Sequence, residues 1–73
     1  MERIIEILEG IKSGIDFRNT EGLITNGILD SIEVTDIISE LEDEFEIEID
    51  MEYIKPEYFD SAEKIWEMVQ ELE

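Results

Sequence analysis

Apolar residues recur at helical spacing in three stretches of this chain. Ile4, Ile7, Leu8, Ile11 and Ile15 stand at i, i+3, i+4, i+7 and i+11, while Glu2, Glu6 and Glu9 face away from them. That stripe predicts an amphipathic helix from Met1 to about Ser13, stopped near Gly14. Ile5 falls off the stripe. Val34, Ile37, Ile38, Leu41 and Phe45 repeat the spacing and predict a second helix from about Ser31 to Glu44. Ser31 stands where an N-cap belongs, and Glu33 suits the positive end of the helix dipole. The last helix is expected to take Asp60 or Ser61 as its cap, with Glu63 in its first turn. It then runs through Ile65, Trp66, Met68, Val69 and Leu72.

No period is visible between Asp16 and Asp30. Asn19, Thr20, Gly22, Asn26 and Gly27 supply turn chemistry there, and Leu23, Ile28 and Leu29 are scattered apolar anchors. A loop of about 15 residues is long beside the usual connection of about 4 to 6, and long loops are often functional. The run Phe45-Glu46-Ile47-Glu48-Ile49-Asp50 alternates like a strand but finds no partner strand elsewhere. A lone strand leaves its backbone groups unpaired, so an extended connection is expected, with Ile47 and Ile49 turned inward. Met51 to Phe59 is expected to hold a short helix or a single turn, Pro56 fitting a first helical position. The elements add up to an all-α fold: one domain, residues 1–73, built as a small bundle of three longer helices plus one short helix. A long loop separates the first two helices.

Composition narrows the chemistry. A chain of 73 residues supports one modest core and buries only about 60% of its unfolded surface. Its 22 acidic residues against Arg3, Lys12, Arg18, Lys55 and Lys64 give a formal charge of −17. Such a field repels nucleic acid and anionic membranes, attracts basic surfaces, and opposes compaction until salt screens it. The hydrophobic content of 42%, arranged at helical spacing, separates this chain from disordered acidic segments. Cysteine and histidine are absent, which excludes disulfides, Cys/His zinc sites, protein thiols and imidazole bases. No nucleophile–base pair appears either, so a non-enzyme is expected. A calcium loop of the Asp-x-Asp-x-Asp-Gly type is also missing. No apolar run approaches the roughly 20 residues that span a bilayer, and no signal peptide opens the chain. A cytoplasmic monomer without membrane insertion or nucleic-acid partners is the expectation.

The run Leu23-Ile24-Thr25-Asn26-Gly27-Ile28-Leu29-Asp30-Ser31-Ile32 resembles the attachment segment of acyl carrier proteins, in which an Asp-Ser-Leu or Asp-Ser-Ile tripeptide opens the second helix. The likeness continues through Leu41-Glu42-Asp43-Glu44-Phe45, Glu46-Ile47-Glu48-Ile49 and Tyr58-Phe59-Asp60-Ser61-Ala62-Glu63-Lys64-Ile65. It covers essentially Leu23 to Leu72, with a weaker match in the first helix. Gly27-Ile28-Leu29-Asp30-Ser31 looks closest to the stand-alone carriers of aminoacyl groups, including D-alanyl carriers. The Gly-Gly-His-Ser of peptidyl carriers is absent, and Ser39-Glu40 stands where fatty-acid carriers often have Met-Ala. The cargo therefore stays open.

The resemblance implies that Ser31 carries a 4′-phosphopantetheine arm taken from coenzyme A and that the arm holds an acyl or aminoacyl group as a thioester. Asp30 would help position the donor or its metal ion. The implied partners are a phosphopantetheinyl transferase, a loading ligase and a downstream acyltransferase or synthase, all with basic docking patches. Ile32, Glu33, Asp36, Ser39, Glu40, Glu42 and Asp43 would form the face that those partners read, the acids steering encounter. Ile32 is also consistent with a residue folded back beneath the Asp16–Asp30 loop. Trp66, Met68 and the Phe and Tyr residues read as core. The rival reading is a small acidic helical inhibitor of the colicin-immunity kind, binding a basic partner. Such an inhibitor has no need of Asp30-Ser31-Ile32 after a long loop.

Overall fold

Ile4, Ile7 and Leu8 are buried along α1, Glu2–Ile11, as the apolar stripe predicts; the computed structural model describes all 73 residues, Met1–Glu73. Ile5, off that stripe, is buried as well. The reason is that α1 packs on both α2 and α4, so its covered arc is wider than one seam requires. The helix ends at Ile11 rather than Ser13. Lys12 leaves in extended backbone, and Gly14 takes φ 87°, a conformation that side-chain-bearing residues rarely adopt.

The second helix, α2, runs from Ser31 to Phe45. Val34, Ile37 and Leu41 are buried, whereas Ile38 and Phe45 sit half-buried at the edge of the core. Its far end closes on Glu46 at φ 54°, in the left-handed region, with the Glu46 and Ile47 N–H groups both donating to the Glu42 carbonyl. The chain then continues extended with no strand partner, and Ile47 and Ile49 turn inward as expected. Glu42 bends back to accept the Ile49 N–H at 2.9 Å, which satisfies a backbone donor that has no sheet to join.

A 3₁₀ turn, Met51–Tyr53, leads to the short helix α3, Pro56–Phe59, with Pro56 in its first turn. The last helix, α4, covers Ala62–Leu72, and Ser61 is its cap, accepting the Lys64 N–H at 3.1 Å. Ile65, Met68 and Val69 meet Ile4, Leu8, Ile37 and Leu41 in one core cluster, and Trp66 packs against its edge. Three longer helices and one short one thus share a single core, with the long loop lying between α1 and α2. No helix is long and apolar enough to cross a membrane.

That loop is tightly fastened for an irregular segment. Phe17, Leu23 and Leu29 are nearly fully buried, and Leu29 N–H donates to the Leu23 carbonyl at 2.8 Å. Phe17 carries no periodic signal in the sequence, yet it is among the largest side chains in the core. Leu23 N–H donates to the Asp60 carbonyl at 2.8 Å, tying the loop to the start of α4.

Candidate functional site

Asp30, not Ser31, caps α2. Its backbone is extended, and its carboxylate Oδ1 accepts the Glu33 N–H at 2.8 Å while Glu33 Oε1 accepts the Asp30 N–H at 3.0 Å. The reciprocal pair is a capping box, which needs an acidic or amide side chain three residues after the cap. Counting from Ser31, that position falls on Val34, which cannot reciprocate; counting from Asp30, it falls on Glu33. Ser31 is therefore the first residue inside the helix.

This shift leaves Ser31 better suited to chemistry. Its side chain is exposed and its hydroxyl makes no hydrogen bond within the chain, while its carbonyl accepts the Thr35 hydroxyl at 2.9 Å. The Val34 N–H is taken by the Asp30 carbonyl and the Glu33 N–H by the Asp30 side chain. The N–H groups of Ser31 and Ile32 stay unpaired at the positive end of a 15-residue helix. Asp30 keeps its second oxygen, Oδ2, free.

Beside Ser31 lies an open cleft of about 300 Å³. The loop contributes Ile24 and Leu29 to it, α2 contributes Val34, Thr35 and Ile38, and the segment around α3 contributes Ile54, Lys55 and Phe59. Ile38, read from its spacing as core, is one wall. Helical periodicity cannot reveal this cleft, because its far wall comes from the aperiodic stretch between Met51 and Phe59.

Asp60 holds the loop wall in place. Its carboxylate accepts the Ile24 N–H at 2.9 Å, the Thr25 N–H at 3.0 Å and the Thr25 hydroxyl at 2.9 Å. The Thr25 N–H first, with the Ile24 N–H and the Thr25 hydroxyl, holds this carboxyl below the usual range despite some desolvation. In the sequence Asp60 reads only as an alternative cap for α4, so its grip on a segment 36 residues away left no local signal.

The expected partner-reading residues divide into two groups. Ile32 is 72% exposed and shares an outward face of α2 with Asp36, Ser39 and Asp43, at i+4, i+7 and i+11; Glu40 is exposed beside them. Glu33 and Glu42 are half-buried and engaged internally, Glu33 in the capping box and Glu42 on the Ile49 N–H. Ile32 is not folded beneath the loop.

Charge pairing sharpens the same face. Arg3 pairs with Glu6 at 2.7 Å and Glu44 at 2.5 Å, Arg18 with Glu2, Lys55 with Glu57 at 3.3 Å and Lys12 with Glu33 at 3.6 Å. The Arg3 guanidinium holds the Glu44 carboxyl below its ordinary value. Asp36, Glu40 and Asp43 have no cation within pairing distance. They are strung along the helix, and no three carboxylates converge into a group that could hold a metal ion. No family model matches the chain, and no curated protein or solved structure matches it.

Proposed function

We propose that this protein is a carrier of acyl or aminoacyl groups, with Ser31 as the attachment point of a 4′-phosphopantetheine arm. One observation carries the reading: an exposed serine with an unpaired hydroxyl at the first position of a long helix, behind a cap that does not consume it. The free N–H groups of Ser31 and Ile32 suit a phosphodiester on Ser31, since an anion at a helix N-terminus meets both the dipole and unpaired donors. The reading rests further on the resemblance of Leu23–Leu72 to acyl carrier proteins.

In the modification step the Ser31 oxygen attacks the pyrophosphate of coenzyme A. A bond forms between Ser31 Oγ and the phosphorus on the pantetheine side, the bridging P–O bond breaks, and adenosine bisphosphate leaves. The Ser31 proton passes to a base of the transferase, which fits a chain without histidine. Asp30, with Oδ2 unpaired, would help position the donor or its metal ion. The arm, once attached, supplies the thiol that holds the cargo as a thioester. Ile24, Ile38, Ile54 and Phe59 offer an apolar shelter beside the attachment point.

Ile32, Asp36, Ser39, Glu40 and Asp43 form the face offered to the transferase and the loading enzyme. Unpaired acids speed encounter with basic partners while leaving complexes short-lived, as a shuttle requires. The test is an intact mass after incubation with a promiscuous phosphopantetheinyl transferase, coenzyme A and magnesium. A gain of one phosphopantetheine is expected. A chain that stays unmodified overturns the carrier reading and returns the acidic inhibitor of a basic partner.

A further inference from the structure

We infer that Lys12 is a positioning residue for Ser31, bracing the attachment segment from the end of α1. The inference builds on the carrier reading, whose own test is the modification of the wild-type chain.

Lys12 is the cation within ion-pair reach of the first turn of α2, whereas Lys55 lines the cleft beside Ser31 and pairs with Glu57. Arg3 pairs with Glu44 and Glu6, Arg18 pairs with Glu2, and Lys64 lies in the first turn of α4. The Lys12 ammonium donates to the Ile28 carbonyl at 2.8 Å and lies 3.6 Å from Glu33 Oε1. That same oxygen accepts the Asp30 N–H at 3.0 Å. One side chain thus holds Ile28 directly and Asp30 through Glu33, and Leu29 between them is fixed by its N–H to the Leu23 carbonyl. Every residue from Ile28 to Asp30 is tied down before Ser31 begins the helix.

The bracing also has an electrostatic reason. The capping box sets two carboxylates, Asp30 and Glu33, against each other across one turn. Like charges at this distance oppose the box that they form, and a phosphodiester on Ser31 adds a third anion. Lys12 is the cation within reach of Glu33, and it arrives because α1 stops at Ile11 and Lys12 turns to extended backbone. Without it the Ile28 carbonyl loses its donor and the acidic box loses its counter-charge. The segment then spends part of its time out of the geometry that a transferase binds, and apparent affinity falls by that fraction.

The experiment compares Lys12→Met, Lys12→Arg and Arg3→Met with the wild type. Arg3→Met removes two exposed ion pairs, to Glu6 and Glu44, neither of which touches the attachment segment. Amide exchange is read first, on the unmodified proteins. In Lys12→Met the Asp30 and Glu33 amides should exchange about three- to tenfold faster, the effect of losing one modest hydrogen bond, with α4 amides unchanged. The KM for the protein in the transferase reaction should rise by the factor by which the competent fraction falls, with kcat within about twofold. Lys12→Arg should keep both close to wild type, and Arg3→Met should alter neither. Unchanged exchange and KM in Lys12→Met, or equal changes in Arg3→Met, overturns the inference. Should the wild type never be modified, the carrier reading falls on that result alone, and the exchange arm still decides whether Lys12 braces the segment.

Discussion

Ile32→Ala separates docking from folding in a single substitution. Ile32 is 72% exposed, so removing its side chain takes little from the core. Surface changes of this kind stay within about 0.5 kcal/mol. For a domain of this size, that is a melting shift of about 2–4 °C at most. The same exposure leaves most of the side chain's burial to be gained on docking. Full burial of an isoleucine is worth about 1.5–3 kcal/mol, so roughly 1–2 kcal/mol should be lost from a complex in which Ile32 is the apolar anchor. At about 1.4 kcal/mol per tenfold, kcat/KM for modification should fall about five- to thirtyfold. Ile37, five residues further along and fully buried, is the control. Ile37→Ala should cost about 2–5 kcal/mol and lower the melting temperature by tens of degrees or abolish folding. The assay pairs thermal melts by circular dichroism with transferase kinetics on the same preparations. A loss of more than about 8 °C for Ile32→Ala would place the side chain in the folded core. An unchanged kcat/KM would remove it from the docking face.

Two further outcomes follow from the cap and from the loop clasp. Asp30→Ala should cost about 0.5–2 kcal/mol in denaturant titrations because it removes the N-cap, whereas Ser31→Ala should stay within about 0.5 kcal/mol; equal losses would contradict the assignment. Asp60 has a folded-state pKa below its ordinary 3.8, so its contribution is fully present above that value and is lost as pH falls through the depressed folded pKa. Asp60→Asn, which keeps an acceptor for Ile24 and Thr25 but cannot titrate, should therefore flatten the acid limb of stability below about pH 4. A variant whose acid limb matches wild type would exclude Asp60 as its source.

The helices were legible because each has a core stripe with a helical period: Ile4-Ile7-Leu8, Val34-Ile37-Leu41 and Ile65-Met68-Val69. Ile47 and Ile49 could be turned inward correctly because alternation survives even where no sheet forms. Ile5 was missed because one stripe does not say how many neighbours a helix has, and α1 has two. The cap was displaced by one residue for a different reason. Serine and aspartate both cap well, and only the reciprocal partner at Glu33 decides between Asp30 and Ser31. The contacts that shape the segment before Ser31 are long-range. Lys12 reaches Ile28 across 16 residues and Asp60 reaches Ile24 across 36, so neither leaves a local pattern. Glu33 and Glu42 looked like surface acids on a helix, but the backbone donors of Asp30 and Ile49 lacked other acceptors and drew them in.

The central claim is that one particular hydroxyl is the attachment point. The chain carries other serines, at positions 13, 39 and 61, of which Ser61 is buried as the cap of α4 and Ser39 is exposed on the same helix as Ser31. Peptide mapping by tandem mass spectrometry after transferase treatment, run on wild type, Ser31→Ala and Ser39→Ala, tests the claim most directly. The account predicts phosphopantetheine on Ser31 in the wild type and in Ser39→Ala, and an unmodified Ser31→Ala that still shows the wild-type helical spectrum. Modification of a folded Ser31→Ala, or a modified residue other than Ser31 in the wild type, would contradict it.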